Sequence, residues 1–300
     1  MTYILYNEKA GNGNSKAYVE KLYSSTADAK LVDMQTVKNY EDVFNRLDSD
    51  DKIIICGGDG TLNRFANDAA NIPLKNDIFY YAVGSGNDFA RDLGKEKSAC
   101  PNYRINEYLK NLPTVTVNGK NRLFINGIGY GIDGYCCEEG DRLREKYAAE
   151  KSSKSINYTT IAIKGLLFHY KPTNAEIEVD GQHYSFKDIW LAPAMNGRFF
   201  GGGMMPTPDQ SRTDPDKKLS VMVYYGRSRL KALVMFPSLF TGKHIKYKKH
   251  VKVMSGKNIT VKFDRPTSLQ IDGETELNVT EYTVQANAQI CKEEELFVKS

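Results

Sequence analysis

No stretch of this chain approaches the roughly 20 consecutive apolar residues that a membrane span requires, so any membrane contact is expected to be peripheral. Cysteine is scarce: there are 5, an odd number, with Cys136 and Cys137 adjacent and Cys56 inside an apolar strand. That usage argues against a disulfide scaffold and for reduced thiols in a cytosol. The first residues, Met1 to Tyr6, read as a strand and lack the basic leader and long apolar region of a signal peptide. Internal repeats and low-complexity tracts are also missing. The net charge of +4 is too small to argue for nucleic acid. At 300 residues the chain has length for two domains and enough core to need no metal or disulfide staple.

What is present changes character near Pro113. Before it, strand and helix signals alternate: strands over Tyr3 to Asn7, Lys30 to Met34, Lys52 to Cys56 and Asp77 to Val83, and helices over Ser15 to Ser25, Tyr40 to Leu47 and Asn87 to Leu93. That alternation predicts a doubly wound α/β domain over residues 1–113, whose ligands bind beyond the carboxyl ends of the strands. After Pro113, Asn118-Gly119 and Asp180-Gly181 lie between apolar runs (115–117 and 122–128; 175–179 and 183–192) and read as hairpins. Further strands are expected over 219–225, 251–254, 259–263, 268–271 and 282–286, with helices over 135–151 and 155–169. Residues 114–289 are therefore expected to form an antiparallel β-rich domain.

Charge location says more than charge total. In Lys243 to Lys252 (KHIKYKKHVK), strand alternation would place Lys246, Lys248, His250 and Lys252 on one face. Such a face would suit anionic lipid headgroups, or equally a solvated edge strand protected by lysines.

The most informative segment is Lys52 to Thr61, where an isoleucine strand runs into Gly57-Gly58-Asp59-Gly60-Thr61 and then a helix-forming segment. Glycine turns of this kind let backbone N–H groups close around a phosphate at a helix N-terminus, although a tight turn capped by Thr61 accounts for the same pattern. An aspartate within it points to a bridging Mg²⁺ or a catalytic network. Asn7 to Ser15 and Gly84 to Arg91 repeat the theme of strand, flexible turn and capped helix on the same sheet edge. In the second half, Phe124 to Asp133 (FINGIGYGID) carries glycines in strand context, which implies close backbone approach. Gly201-Gly202-Gly203-Met204 precedes an acid-rich loop, Asp209 to Asp216, with oxygen ligands for a hard cation. Ile271-Asp272-Gly273-Glu274 sets a carboxylate directly after a tight turn, which by itself is no more than a hairpin.

Taken in order, GGDGTLN (57–63), GSGNDFAR (84–91), FINGIGYGID (124–133), GGGM (201–204) and IDGE (271–274) resemble the soluble diacylglycerol kinase family of bacteria, itself similar to the core of sphingosine and ceramide kinases. The resemblance spans nearly the whole chain. GGDGT alone is shared with NAD kinases and, more loosely, phosphofructokinases. The resemblance implies a β-sandwich for the second domain, ATP in a cleft between the domains, a lipid alcohol as acceptor, and a final strand near residues 290–300 returning to the first domain. By position it implies that Asn7, Glu8, Lys9, Ala10, Gly11, Thr36, Gly57 through Asn63 (including Gly58, Gly60, Thr61 and Leu62), Ser85, Asn87 and Asp88 surround ATP. It makes Glu274 the base and puts Asp59 and Asp133 in an aspartate, water and Mg²⁺ network.

Thr213, Asp216 and the Lys218 carbonyl would be metal ligands by the same resemblance, although Ser220 stands where the family's loop has a second acid, and Asn7-Glu8 where its first loop usually has Asn-Pro. The expectation is an ATP- and Mg²⁺-dependent diacylglycerol kinase at the inner face of the membrane, giving phosphatidic acid, without nucleic acid as partner and with a homodimer open. An NAD kinase or a catalytically weak nucleotide- or lipid-binding regulator are the alternatives.

Overall fold

The computed structural model of the chain describes residues 1–7, 15–84, 86–94, 103–152 and 154–286. The first third runs β1 (Thr2–Tyr6), α1 (Ser15–Ser25), β2 (Ala29–Asp33), α2 (Tyr40–Phe44), β3 (Lys52–Gly57), α3 (Asp59–Asp68), β4 (Asp77–Ala82), α4 (Asp88–Asp92) and α5 (Asn106–Leu109). Its four strands pair in parallel in the order β2-β1-β3-β4. Strand alternation splits their side chains between two faces. Ile4, Ile54, Cys56 and Tyr81 pack with Val19 and Leu22 of α1. Leu5, Ile53, Ile55 and Tyr80 are wholly buried, as are Leu62 and Phe65 of α3, and Tyr40 meets Phe65 edge-on at 5.5 Å. Helices on both faces leave the carboxyl edge of the sheet as the place where its turns gather.

The chain forms two units. Residues 1–84 and 103–112, where described, make the first; residues 86–94 and 113–286 make the second, so α4 packs with the β-rich unit although it lies in the sequence of the α/β half. The expected return of residues 290–300 lies outside the described residues.

The second unit contains β5 (Thr114–Val117), β6 (Lys120–Leu123), β7 (Gly127–Tyr130), α6 (Ile132–Ala149), α7 (Tyr158–Lys164) with a π turn over Gly165–His169, β8 (Thr173–Val179), β9 (Gln182–Leu191), β10 (Ala194–Met195), β11 (Leu219–Tyr225), α8 (Arg229–Met235), β12 (Val251–Gly256), β13 (Asn258–Ile271) and β14 (Glu274–Gln285). All its strand pairings are antiparallel. The long β13 pairs with β8 through Ile259–Phe263 and with β7 through Leu269–Ile271. Between those halves its register to β14 shifts around Pro266, which has no N–H to give a ladder, so one sheet folds over and closes on itself around Val115, Ile177, Val221 and Val261. The three Asx-Gly hairpin turns take positive φ at both residues (Asn118 48° and Gly119 74°, Asp180 47° and Gly181 82°, Asp272 47° and Gly273 95°), the conformation that matches the strand twist.

Two expectations are corrected. The run 122–128 is not one strand: β6 stops at Leu123 and β7 starts at Gly127, because Asp272 captures the intervening amides. The basic segment 243–252 forms no strand before Val251. Gly242 at φ +67° opens a 3₁₀ turn over Lys243–Lys246, and His244 is drawn inside by a 2.8 Å bond between its Nε2 and the Pro206 carbonyl. Tyr247 and Val251 then donate to the carbonyls of His244 and Tyr247, so the backbone is satisfied locally. Lys246 and Lys248 are exposed on turns, and Lys252 sits 4.1 Å over the Tyr184 ring.

Candidate active site

In the first unit the expected turns do gather at the carboxyl edge. Asn7 follows β1 and accepts from Gln35 at 2.9 Å, and Thr36 follows β2 with its hydroxyl on the Asp33 carbonyl at 2.8 Å. Gly58 is the N-cap of α3, whose first turn carries Asp59 and Gly60. A Cβ on Gly57 would lie 2.4 Å from the Thr61 side chain, and one on Gly58 would lie 3.1 Å from the Cα of Gly84. The missing side chains therefore let Thr61 fold over the strand end and let the β3 and β4 turns close on each other. The half-buried Asp59 faces Tyr103, whose phenol is pushed up by burial and then by that carboxylate. Leu62 and Asn63 are buried within α3, and the Leu62 N–H donates to the Gly58 carbonyl at 3.1 Å, so the structure gives neither an open group at this edge. Glu8, Lys9, Ala10, Gly11 and Ser85 lie outside the described residues.

In the second unit, Asp133 opens α6 and is half-buried; desolvation raises its carboxyl to about 6, partly opposed by a hydrogen bond from Gln270. Gln270 is buried, donates Nε2 to Asp133 Oδ2 at 2.9 Å and accepts the Gly273 N–H at 2.6 Å. It thus ties Asp133 to the turn that presents Glu274. The glycines of FINGIGYG permit this: a Cβ on Gly129 would lie 1.7 Å from the Asp133 carboxylate, and one on Gly134 would lie 1.8 Å from the Ser268 carbonyl. Asp272 accepts from the backbone of Asn126 at 2.8 Å and Gly127 at 3.0 Å, and also from Ile125, which pins the same turn from below. Asp180 anchors its own turn in the same way, on the amides of Lys257 and Asn258, so the two Asp-Gly hairpins are told apart by the residue after glycine, Gln182 in one and Glu274 in the other. Glu274 is 56% exposed and ion-paired to Arg122, which also holds Glu276 at 3.0 Å.

Asn87 and Asp88, expected beside the nucleotide, belong to the second unit. Asp88 is buried there and accepts the Gly202 N–H at 2.8 Å, which docks α4 against the three glycines 201–203, all at positive φ. Asp92 completes that joint with Arg198 at 2.7 Å and Arg212 at 2.5 Å. Arg212 also bonds the Ile125 carbonyl and Asn126, so the NDFAR, GGG and FING segments form one hydrogen-bonded cluster. Sequence reasoning missed Asp92, Arg198, Arg212, Gln270 and Arg122. Only Gln270, adjoining IDGE, carried a positional signal.

The loop expected to bind Mg²⁺ does not fit a cation. Asp216 is paired with its neighbour Lys218 at 2.9 Å, and that ammonium holds its carboxyl below the usual range. The Lys218 carbonyl, an expected ligand, accepts instead from Gln210 Nε2 at 2.9 Å. The same amide faces the carbonyls of Asn196 and Ser211, both at 3.3 Å, while Oε1 takes the Ser220 hydroxyl at 2.6 Å. Thr213 is engaged with Ser211 at 3.2 Å. A buried side-chain amide sits where carbonyls converge, and Ser220 supplies a donor in place of a second acid. Among the described residues no group of three or more His, Cys, Asp or Glu gathers to hold a metal ion.

Comparison with known proteins follows the same division. Residues 1–115 match the diacylglycerol kinase catalytic domain, and residues 128–289 match the YegS C-terminal NAD kinase beta sandwich-like domain. The chain is 25% identical over 201 residues to a diacylglycerol kinase of Mycobacterium tuberculosis (strain ATCC 25618 / H37Rv); the match takes in 65% of this chain and spans 62% of that relative's length. It is 28% identical over 232 residues to a diacylglycerol kinase of Bacillus subtilis (strain 168), covering 75% of this chain and 71% of the relative. A solved diacylglycerol kinase structure from Bacillus anthracis str. Sterne has the same fold, with a TM-score of 0.58 at 17% identity over 96% of this chain and 94% of that one.

Proposed function

Since the chain belongs to the diacylglycerol kinase family with a YegS-type C-terminal domain, we propose that it transfers the γ-phosphoryl group of ATP to the hydroxyl of a membrane lipid, most simply diacylglycerol, giving phosphatidic acid. The observation that carries this reading is the closure of the Gly57–Thr61 turn on Gly84, which leaves the backbone at the start of α3 open to a phosphate chain. Asn7 and Thr36 flank it on the same edge.

Phosphoryl transfer passes through a loose transition state, so the protein acts by alignment and by electrostatics. The bond from the γ-phosphorus to the bridging oxygen breaks as the lipid oxygen bonds to phosphorus. The hydroxyl proton goes late to Glu274, a carboxylate too weak to remove it in the ground state but able to orient it. Arg122 can hold Glu276 alone, so the ion pair that restrains Glu274 can open without stranding a charge. Asp133, fixed by Gln270, sets the turn behind Glu274. Asp59 is assigned to the phosphate side. Mg²⁺ is assigned to the nucleotide's own phosphates, where it would neutralise charge, and not to residues 213–218.

The acceptor lies in a bilayer, so the protein is assigned to an anionic membrane surface as a peripheral protein; no described helix is long and apolar enough to cross a membrane. Purified protein incubated with γ-labelled ATP and Mg²⁺, in separate reactions with diacylglycerol and with NAD⁺, tests the reading. Labelled phosphatidic acid is expected; NADP⁺ formation without labelled lipid would replace it with an NAD kinase.

A further inference from the structure

One surface of the second unit is apolar where folding gives it no reason to be. Phe168 is 71% exposed, Leu230 68% and Val234 69%. Single exposed apolar residues are ordinary, but three large ones on adjoining elements are not. Leu230 and Val234 stand four residues apart on α8 and so share one face, while Ala232 and Met235 of the same helix are buried with Ile161 and Leu166. The helix is thus held by one side and displays the other. Arg229 joins it to the π turn, donating to the Leu166 carbonyl at 2.8 Å with its guanidinium 5.4 Å over Trp190. The turn itself closes by a bond from the Tyr170 N–H to the Gly165 carbonyl at 2.9 Å, one residue wider than an α turn, and it carries Phe168 outward.

The two stretches of chain that carry these residues are basic, although Asp188 pairs with Arg227 at 3.1 Å and Glu138 of α6 lies near His169 and Lys171. Residues 217–263 contain twelve lysines and arginines and no aspartate or glutamate, and residues 151–175 contain four lysines and no acid. Lys231, Lys243 and Lys246 are exposed. A second copy of the chain is a poor occupant for this face, because a two-fold contact would set lysines against lysines. An anionic bilayer is complementary in both respects: acyl chains for the three apolar side chains, headgroups for the cations.

We infer that the second unit docks on anionic membranes through Phe168, Leu230 and Val234, with the lysines around them on the headgroups. The inference rests on the lipid-acceptor reading above for its biological sense, but binding is measured without catalysis. Each lysine near such a surface strengthens partitioning roughly fivefold, so three of them and three inserted side chains give binding that either class of substitution would visibly weaken.

The experiment is co-sedimentation of the full chain with vesicles of phosphatidylcholine containing 30 mol% phosphatidylserine, on the order of the anionic content of a leaflet that produces such surface potentials. The proteins are wild type, the triple variant Phe168→Ser, Leu230→Ser, Val234→Ser, and the charge variant Lys231→Gln, Lys243→Gln, Lys246→Gln. Wild type is expected to bind these vesicles at least about tenfold better than pure phosphatidylcholine, with the difference lost at high salt. The charge variant is expected to bind about a hundredfold more weakly and the triple variant at least about tenfold more weakly, with an unchanged melting temperature and unchanged turnover of a short-chain, water-dispersed diacylglycerol. Equal binding to neutral vesicles, unimpaired binding by the triple variant, or a wild-type dimer that the triple variant dissociates would each overturn the inference. Vesicle binding without any lipid phosphorylation would overturn the proposed function and leave the docking face standing.

Discussion

Gln270 donates its side-chain amide to Asp133 at 2.9 Å and takes the Gly273 N–H on its oxygen at 2.6 Å, so one buried residue connects the start of α6 to the turn before Glu274. Two carboxylates separated by more than a hundred residues in sequence become parts of one device. Glu274 is on the outside of it, and Asp133 is where it meets the unit's interior.

Asp133 should reveal itself through pH. Its folded-state carboxyl is raised to about 6 from 3.8, so the protonated form is favoured in the native state; the stabilisation this gives is full below pH 3.8 and lost as pH rises through about 6. Asp133→Asn should therefore raise the melting temperature at pH 7.5 and gain progressively less toward pH 4, while lipid phosphorylation falls. Melting curves of both proteins across that range check it; a gain that does not depend on pH would count against the shift.

Removing the carboxylate at 274 should leave nucleotide binding alone. Glu274→Gln is expected to lower kcat roughly 100-fold or more, with ATP affinity within about twofold of wild type, since general-base deletions act on the transition state. Arg122→Ala should lower activity far less, because it removes a restraint and not the proton acceptor. Steady-state kinetics with nucleotide titration separates the two.

Gly58→Ala tests the phosphate turn. Gly58 has φ −94°, which alanine accepts, but the new Cβ would lie 3.1 Å from the Gly84 backbone. The two turns must then part by a few tenths of an ångström. The expected result is a KM for ATP raised about tenfold with a loss of no more than about 1 kcal/mol in stability, read by kinetics beside chemical denaturation.

Gln210 supports the loop that was expected to use a metal. Gln210→Ala leaves the Ser220 hydroxyl and the Lys218 carbonyl without their buried partner, at about 1–3 kcal/mol. The melting temperature should drop by several degrees. In the wild-type protein without nucleotide, EDTA or excess Mg²⁺ should leave it unchanged; a clear rise with Mg²⁺ would restore the metal loop.

Local pattern was enough for much of the architecture. Alternating apolar runs placed the four parallel strands to within a residue or so, and Asx-Gly pairs marked three turns whose positive φ those residues tolerate. Both are short-range effects of backbone sterics and burial, and they are written into neighbouring residues. The glycine motifs were legible for the same reason, as positions where a side chain could not be. Tertiary structure alone decided who meets whom. Asp88 went to Gly202, Arg212 to Asp92 and Gln270 to Asp133, while the lysine-rich run 243–252 curled into turns once His244 was drawn to the Pro206 carbonyl. Side-chain hydrogen bonds across tens of residues depend on the closing of a sheet around β13, and no window of sequence contains that closure.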